Sequence, residues 1–211
     1  MSQEAAALDQ DRWLALWSRL GATRDGLEVF QQLDAAYTEP IRFYHTAAHI
    51  TDCLVQLDWS RNLAIRPDEV EAAIWFHDAV YDPAATDNEE RSGRLAASAL
   101  SRAGVAAGVP ERVEALVEVT KRHDPSGSDA ELLCDIDLSI LGRDRPEFEQ
   151  FERLIRQEYA WLPEADYRRG RSEIVSGFLR RSSIYRTDQF ARRYERTARR
   201  NLEWLLNLLS R

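Results

Sequence analysis

The chain carries only four histidines, and three of them fall within 33 residues: His45 and His49 in the segment YHTAAH, and His77 beside Asp78 in FHD. Neutral imidazole and carboxylate are the donors that suit zinc, iron, manganese, cobalt and nickel, and ligands on separate helices can converge in the core of a bundle. Such a site calls for a further carboxylate in apolar surroundings. The segment ELLCDIDLSILG, from Glu131 to Gly142, offers two, Asp135 and Asp137, where a buried charge is costly unless something compensates it. Cys53 stands one helical turn beyond His49 as a further donor. Each residue also has a plainer explanation. His49 and His77 could be core histidines bonded to backbone carbonyls, His45 a hydrogen bonder at a helix start, and His123 either a core residue on an apolar stripe or an outer ligand. The ordered set of His49, the His77–Asp78 pair and a buried aspartate favours metal. Asp82 and Glu89 fit surface or capping positions, or contact with water at an ion.

The elements that must position these residues read as helices throughout. Apolar residues recur at helical spacing, and no window alternates as a half-buried strand would. Trp13, Trp17 and Leu20 form one stripe; Val29, Phe30, Leu33 and Tyr37 form a second, before Pro40. Thr46 can cap a helix with Ile50, Cys53, Leu54 and Leu57 inward, and Asp68 can cap another aligning Val70, Ala73, Ile74 and His77. Asp87 and Glu90 have the spacing of a capping box, for a helix that ends near Gly104. Pro110 opens the next, with Val113, Leu116, Val117 and Thr120 on one face and His123 continuing the stripe. Further helices are expected from Pro146 to Tyr159, around Ile174 to Leu179, and from a Thr187 cap to Leu209.

The expected fold is therefore all-α, one helical domain with its metal-binding core over about 40–142 and the helices of 146–211 packed on it. A chain of 211 residues, 44% hydrophobic and 30% charged, lies in the ordinary globular range. No stretch approaches the roughly 18 apolar residues of a membrane span, and the acidic N-terminus is unlike a signal peptide, so a cytoplasmic location is expected. Cys53 and Cys134, among apolar residues, are expected to be buried and reduced. A net charge of -8 argues against general nucleic-acid binding. Eleven arginines between Arg168 and Arg200 make the last third locally basic, and such runs are mostly solvated faces. The tryptophans and the C-terminal amphipathic helix could serve a homodimer interface or the core.

Taken in order, His49, His77 with Asp78, and Asp135 resemble the HD-domain metal-dependent phosphohydrolases, whose pattern is a histidine, an adjacent His-Asp pair and a distant aspartate. The stretches YHTAAHI, AAIWFHDAVYDP, DNEERS, CDIDLSILG and RRGRSEIVSGFLRRSSIY are similar to those of small bacterial predicted HD phosphohydrolases, from about Tyr44 to Asn201. The resemblance implies an HD-type helical fold and a metal set of His49, His77, Asp78 and Asp135, with Asp137 an outer partner. It implies one or two divalent ions, drawn from manganese, iron, cobalt, nickel, zinc and magnesium. The first segment also resembles the YHNxxH motif of cyclic-nucleotide phosphodiesterases, which makes His45 the proton donor, although Thr46 stands where that motif has asparagine. Asp78 is then the residue placed to bridge a second ion. Arg42, Arg91, Lys121, Arg122 and Arg171, near the motifs, are the candidates to hold substrate phosphates. The implied activity is hydrolysis of a small phosphorylated substrate, a mono- or diester, with nucleotides among the candidates. The alternative is a non-catalytic module that binds metal and nucleotide as a sensor or interaction partner.

Overall fold

A computed structural model describes residues 7–210. Among these residues there are ten α-helices, two short 3-10 helices and no strand. The all-α expectation holds, and no described helix is long and apolar enough to cross a membrane. By its internal packing the chain divides into two compact units, 1–134 and 135–211. The division falls inside one helix, α7 (Ser128–Asp137), earlier than the limit near 142 that the sequence suggested for the metal-binding core.

The first unit holds α1 (Gln10–Arg19), α2 (Leu27–Tyr37), α3 (Ala47–Ser60), α4 (Pro67–Phe76), α5 (Asn88–Arg102) and α6 (Val109–Val119). Helix α4 is its centre, packed against α1, α3, α5 and α6. Every residue from Glu69 to Phe76 is buried, so this helix has no solvent face, as its run of Val70, Ala72, Ala73, Ile74, Trp75 and Phe76 requires. Trp13 of α1 meets Trp75 edge-on at 5.3 Å and Phe76 at 5.8 Å. The Tyr37 hydroxyl donates to the Trp75 carbonyl at 2.9 Å.

Two glutamates are carried into this core, and both are paired. Glu71, with a side chain 2% exposed, accepts from Arg12 Nε at 2.9 Å, Arg19 Nη2 at 2.7 Å and Arg61 Nη1 at 2.8 Å. Glu69 receives the Arg112 guanidinium on both oxygens, at 2.7 and 2.6 Å. Removing one partner of a buried ion pair costs about 3–5 kcal/mol. Because the three arginines at Glu71 are partly exposed and two of them also reach Asp68, Glu71→Ala is expected at the lower end, a loss of about 3 kcal/mol in urea unfolding. A loss below about 1 kcal/mol would mean that the network behaves as a surface cluster.

Three helix starts differ from the sequence reading. Thr46 stands at the N-cap of α3, but its hydroxyl donates to the Tyr44 carbonyl at 3.4 Å and makes no cap bond. Pro67 opens α4, so Asp68 lies in the first turn, where it binds Arg19 and Arg61 instead of capping. The Asp87 side chain makes no cap bond at α5, and Glu90 turns to Lys121, so the capping box does not form. Helix α6 ends at Val119, and His123 lies beyond it with φ +46°, a left-handed conformation, so it does not extend the helical stripe.

The second unit comprises the end of α7, a 3-10 turn (Leu138–Gly142), α8 (Arg145–Glu158), α9 (Glu164–Leu179) and α10 (Asp188–Leu209). Helix α10 buries Phe190, Tyr194, Ala198, Leu202 and Leu205 against the 3-10 turn and α9. Asn201 Nδ2 donates to the carbonyls of Leu141 at 2.8 Å and Arg143 at 2.9 Å. Gly142 is required by this packing, because a β-carbon there would overlap the β-carbon and backbone of Tyr194. Overpacking of this kind costs about 1–3 kcal/mol, the loss expected for Gly142→Ala by thermal or urea unfolding; a neutral result would mean that α10 shifts freely.

Candidate metal centre

His49 lies in the first turn of α3 and His77 follows the last turn of α4, with Asp78 next in the chain. The packing of α3 on α4 brings the three together inside the first unit. His49 Nε2 is 3.2 Å from His77 Nε2 and 3.6 Å from Asp78 Oδ2; His77 Nε2 is 3.0 Å from Asp78 Oδ2. Both histidines are buried, while Asp78 is 17% exposed, so the triad opens to solvent on the aspartate side.

Protonation logic makes this arrangement informative. His77 Nδ1 lies 2.8 Å from the Ile74 carbonyl, which can only accept, so Nδ1 carries the proton and the neutral ring presents a bare lone pair at Nε2. That lone pair faces a carboxylate oxygen at 3.0 Å, and two acceptors at this separation repel unless a cation lies between them. A proton on His77 Nε2 would relieve that contact and could be shared only weakly with His49 Nε2, whereas a divalent ion would serve all three atoms at once. Two adjacent ligands about 2.1 Å from an octahedral ion are about 3.0 Å apart, and two ligands of a tetrahedral ion about 3.4 Å. Two of the observed separations, 3.0 and 3.2 Å, lie in this interval and the third, 3.6 Å, just above it, so the donor set fits a zinc- or manganese-like ion in type and closely in spacing. The C-terminal end of α4, with its partial negative charge, further favours a cation beside His77.

Burial by itself would raise the Asp78 carboxyl. Where the neighbouring rings carry a proton in the absence of an ion, the charges of His77 and His45, a hydrogen bond from His77 and the charge on His49 outweigh it and hold the group well below the usual carboxylate range. Asp78 is thus an anion throughout the neutral range. No family model, curated protein or solved structure matches the chain.

The other residues singled out by sequence distribute unevenly. His45 stands close by, its ring 6.0 Å from that of His49 and tilted against Tyr81 at 4.5 Å. Cys53 Sγ lies 3.7 Å from His49 Nε2 and 3.8 Å from its Nδ1, and both cysteines are buried and outside any disulfide. Glu89, in the first turn of α5, has its carboxyl raised by burial and, after its own backbone N–H opposes this, by the charge of Asp78. Asp82 is exposed and closes its own turn, accepting from Ala84 N at 2.9 Å. Lys121 is tied to Glu90 and the Thr86 carbonyl, both at 2.5 Å. Arg91 is half exposed near Asp87 and lines a groove of about 400 Å³ with Glu39, Ala79 and Tyr81; Arg122 is exposed. Arg42 is buried and bonded to backbone carbonyls, so it is removed from the phosphate-binding candidates. Arg171 belongs to the second unit, where it is locked to Glu152.

Asp135 is fully buried, and both of its oxygens are engaged within the second unit. Oδ1 accepts from Arg186 N at 2.8 Å; Oδ2 accepts from Thr187 N and Thr187 Oγ1, both at 2.7 Å. Thr187 is the N-cap of α10, so Asp135 acts as an anion at that helix start. Asp137, two residues on, projects from the opposite side of α7 and is half buried. Sequence reasoning saw an aspartate needing compensation here, and the partners at Arg186 and Thr187 are too distant in the chain for spacing to reveal.

Proposed function

We propose that the chain is a metal-dependent phosphohydrolase of the HD type, with a divalent ion held by His49, His77 and Asp78. The observation that carries this reading is the convergence of two imidazole Nε2 atoms and a carboxylate oxygen within 3.0–3.6 Å of one another. When bound, such an ion supplies a Lewis acid that acidifies water and polarises a phosphoryl oxygen. The chain's own groups have separate tasks. The Ile74 carbonyl keeps His77 in the tautomer whose Nε2 is free to ligate. His45, half buried and held against Tyr81, is suited to give a proton to the leaving oxygen. Glu89, raised by burial and by Asp78, can hold or take a proton beside the centre. Of the cations named as phosphate-binding candidates, Arg91, Lys121 and Arg122 belong to the first unit and are the ones we assign to substrate phosphates, in place of Arg42 and Arg171. Asp135, the fourth ligand in the resemblance, is occupied by three donors of its own unit, and the reading does not depend on it.

The test is an assay of p-nitrophenyl phosphate and a panel of nucleotides with added manganese, cobalt, nickel, iron, zinc or magnesium. Phosphate release that requires metal and disappears in Asp78→Ala is expected. Stoichiometric metal and tight nucleotide binding without turnover would instead indicate a sensor module.

A further inference from the structure

We propose that Arg42 is the positioning residue of this centre, a buried clasp joining the chain before α3 to the chain after α4 and thereby fixing where Asp78 and His45 stand. The inference rests on the metal reading above. The Arg42 side chain is 0% exposed. Its Nη1 donates to the carbonyl of Asp78 at 2.5 Å and, more weakly, to that of His45 at 3.3 Å; its Nη2 donates to the Ala79 carbonyl at 3.1 Å. The remaining donor, Nε, meets Glu39 at 3.0 Å. One guanidinium therefore holds backbone from both motif segments.

Asp78 is the ligand that most needs such support. His49 is fixed by α3, and His77 is fixed by its N–H to Ala73 and its Nδ1–H to Ile74, but Asp78 lies past the helix, where carbonyls have no intrahelical donor. The Arg42 fork supplies that donor. The fork lies near two rings, Tyr37 at 5.2 Å and Tyr81 at 5.3 Å, and Tyr81 in turn touches the His45 ring at a tilt, 4.5 Å between centroids. Lysine could not substitute, because a single ammonium cannot span carbonyls on two segments while lying flat between rings.

Cobalt(II) alone is the probe, followed by calorimetric titration and by its visible spectrum, with far-ultraviolet circular dichroism on the same samples. Arg42→Lys is expected to retain helicity, to lose about 10–100-fold in cobalt affinity, the range seen when outer partners of metal ligands are removed, and to shift the visible bands. Tyr81→Leu, which takes away one ring of the clasp, is expected to weaken affinity in the same direction, and it decides the matter if Arg42→Lys does not fold. A merely structural role would lower the melting temperature and leave the affinity and spectrum of the folded protein unchanged; that result would overturn the proposal. Absence of cobalt binding by the unaltered chain would overturn the metal reading and this inference together.

Discussion

Replacing His77 by alanine is expected to abolish both metal uptake and metal-dependent phosphate release while the helices remain. The loss in metal affinity should exceed about 100-fold, since even removing an outer partner of a ligand costs about 10–100-fold. Two features make His77 the most sensitive position. Its Nε2 is the donor closest to both others, 3.2 Å from His49 Nε2 and 3.0 Å from Asp78 Oδ2, so no remaining pair can reproduce its place. Its Nδ1 is fixed on the Ile74 carbonyl, so the ring is already in the ligating tautomer before an ion arrives. The helix itself should survive, because the His77 backbone N–H still closes on Ala73. Titration of His77→Ala with manganese and cobalt, beside its circular dichroism, checks this; an affinity within a few-fold of the unaltered chain would show that the ion, if any, binds elsewhere.

The second large effect is expected from Asp135→Asn, and it is a loss of stability that does not require metal. The carboxylate accepts from two backbone N–H groups and a hydroxyl, whereas an asparagine side chain offers one oxygen and turns an NH2 toward donors. Hydrogen bonds to a charged group are worth about 1.5–3 kcal/mol, and the anion at the start of α10 adds a smaller favourable contribution. A loss of about 2–4 kcal/mol is therefore expected in urea unfolding carried out with excess chelator. Unchanged stability under that condition would mean that the segment of Arg186 and Thr187 is held by other contacts.

How much of this was legible in the chain varies by residue. Helical spacing was informative wherever one face is apolar: the stripe from Phe190 to Leu205 in α10 is buried as its periodicity indicates. The pairing of His77 with Asp78 was legible because the residues are adjacent and chemically unusual, and their approach to His49 follows from two neighbouring helices. What remained hidden depended on partners far along the chain. Arg42 stands among five candidate phosphate-binding cations in the sequence because an arginine beside a motif carries no sign that backbone carbonyls at 78 and 79 will take its donors. Asp68 and Glu90 had the local signature of caps, but Arg19 and Arg61 in one case and Lys121 in the other competed for their charge. The arginine run likewise divides: Arg192, Arg193, Arg196 and Arg200 are exposed as such runs suggest, whereas Arg199 reaches Glu195 and the carbonyls of Leu179 and Arg181.

The most direct test of the central claim is elemental mass spectrometry of the protein purified without chelator, repeated after chelator treatment and reloading with manganese, iron, cobalt, nickel or zinc. A divalent ion in near-stoichiometric amount, absent from His77→Ala and from Asp78→Ala, is the result expected if His49, His77 and Asp78 are a metal centre. No metal as purified and no uptake from any of these ions would contradict it and leave the three side chains as a protonated histidine–aspartate cluster.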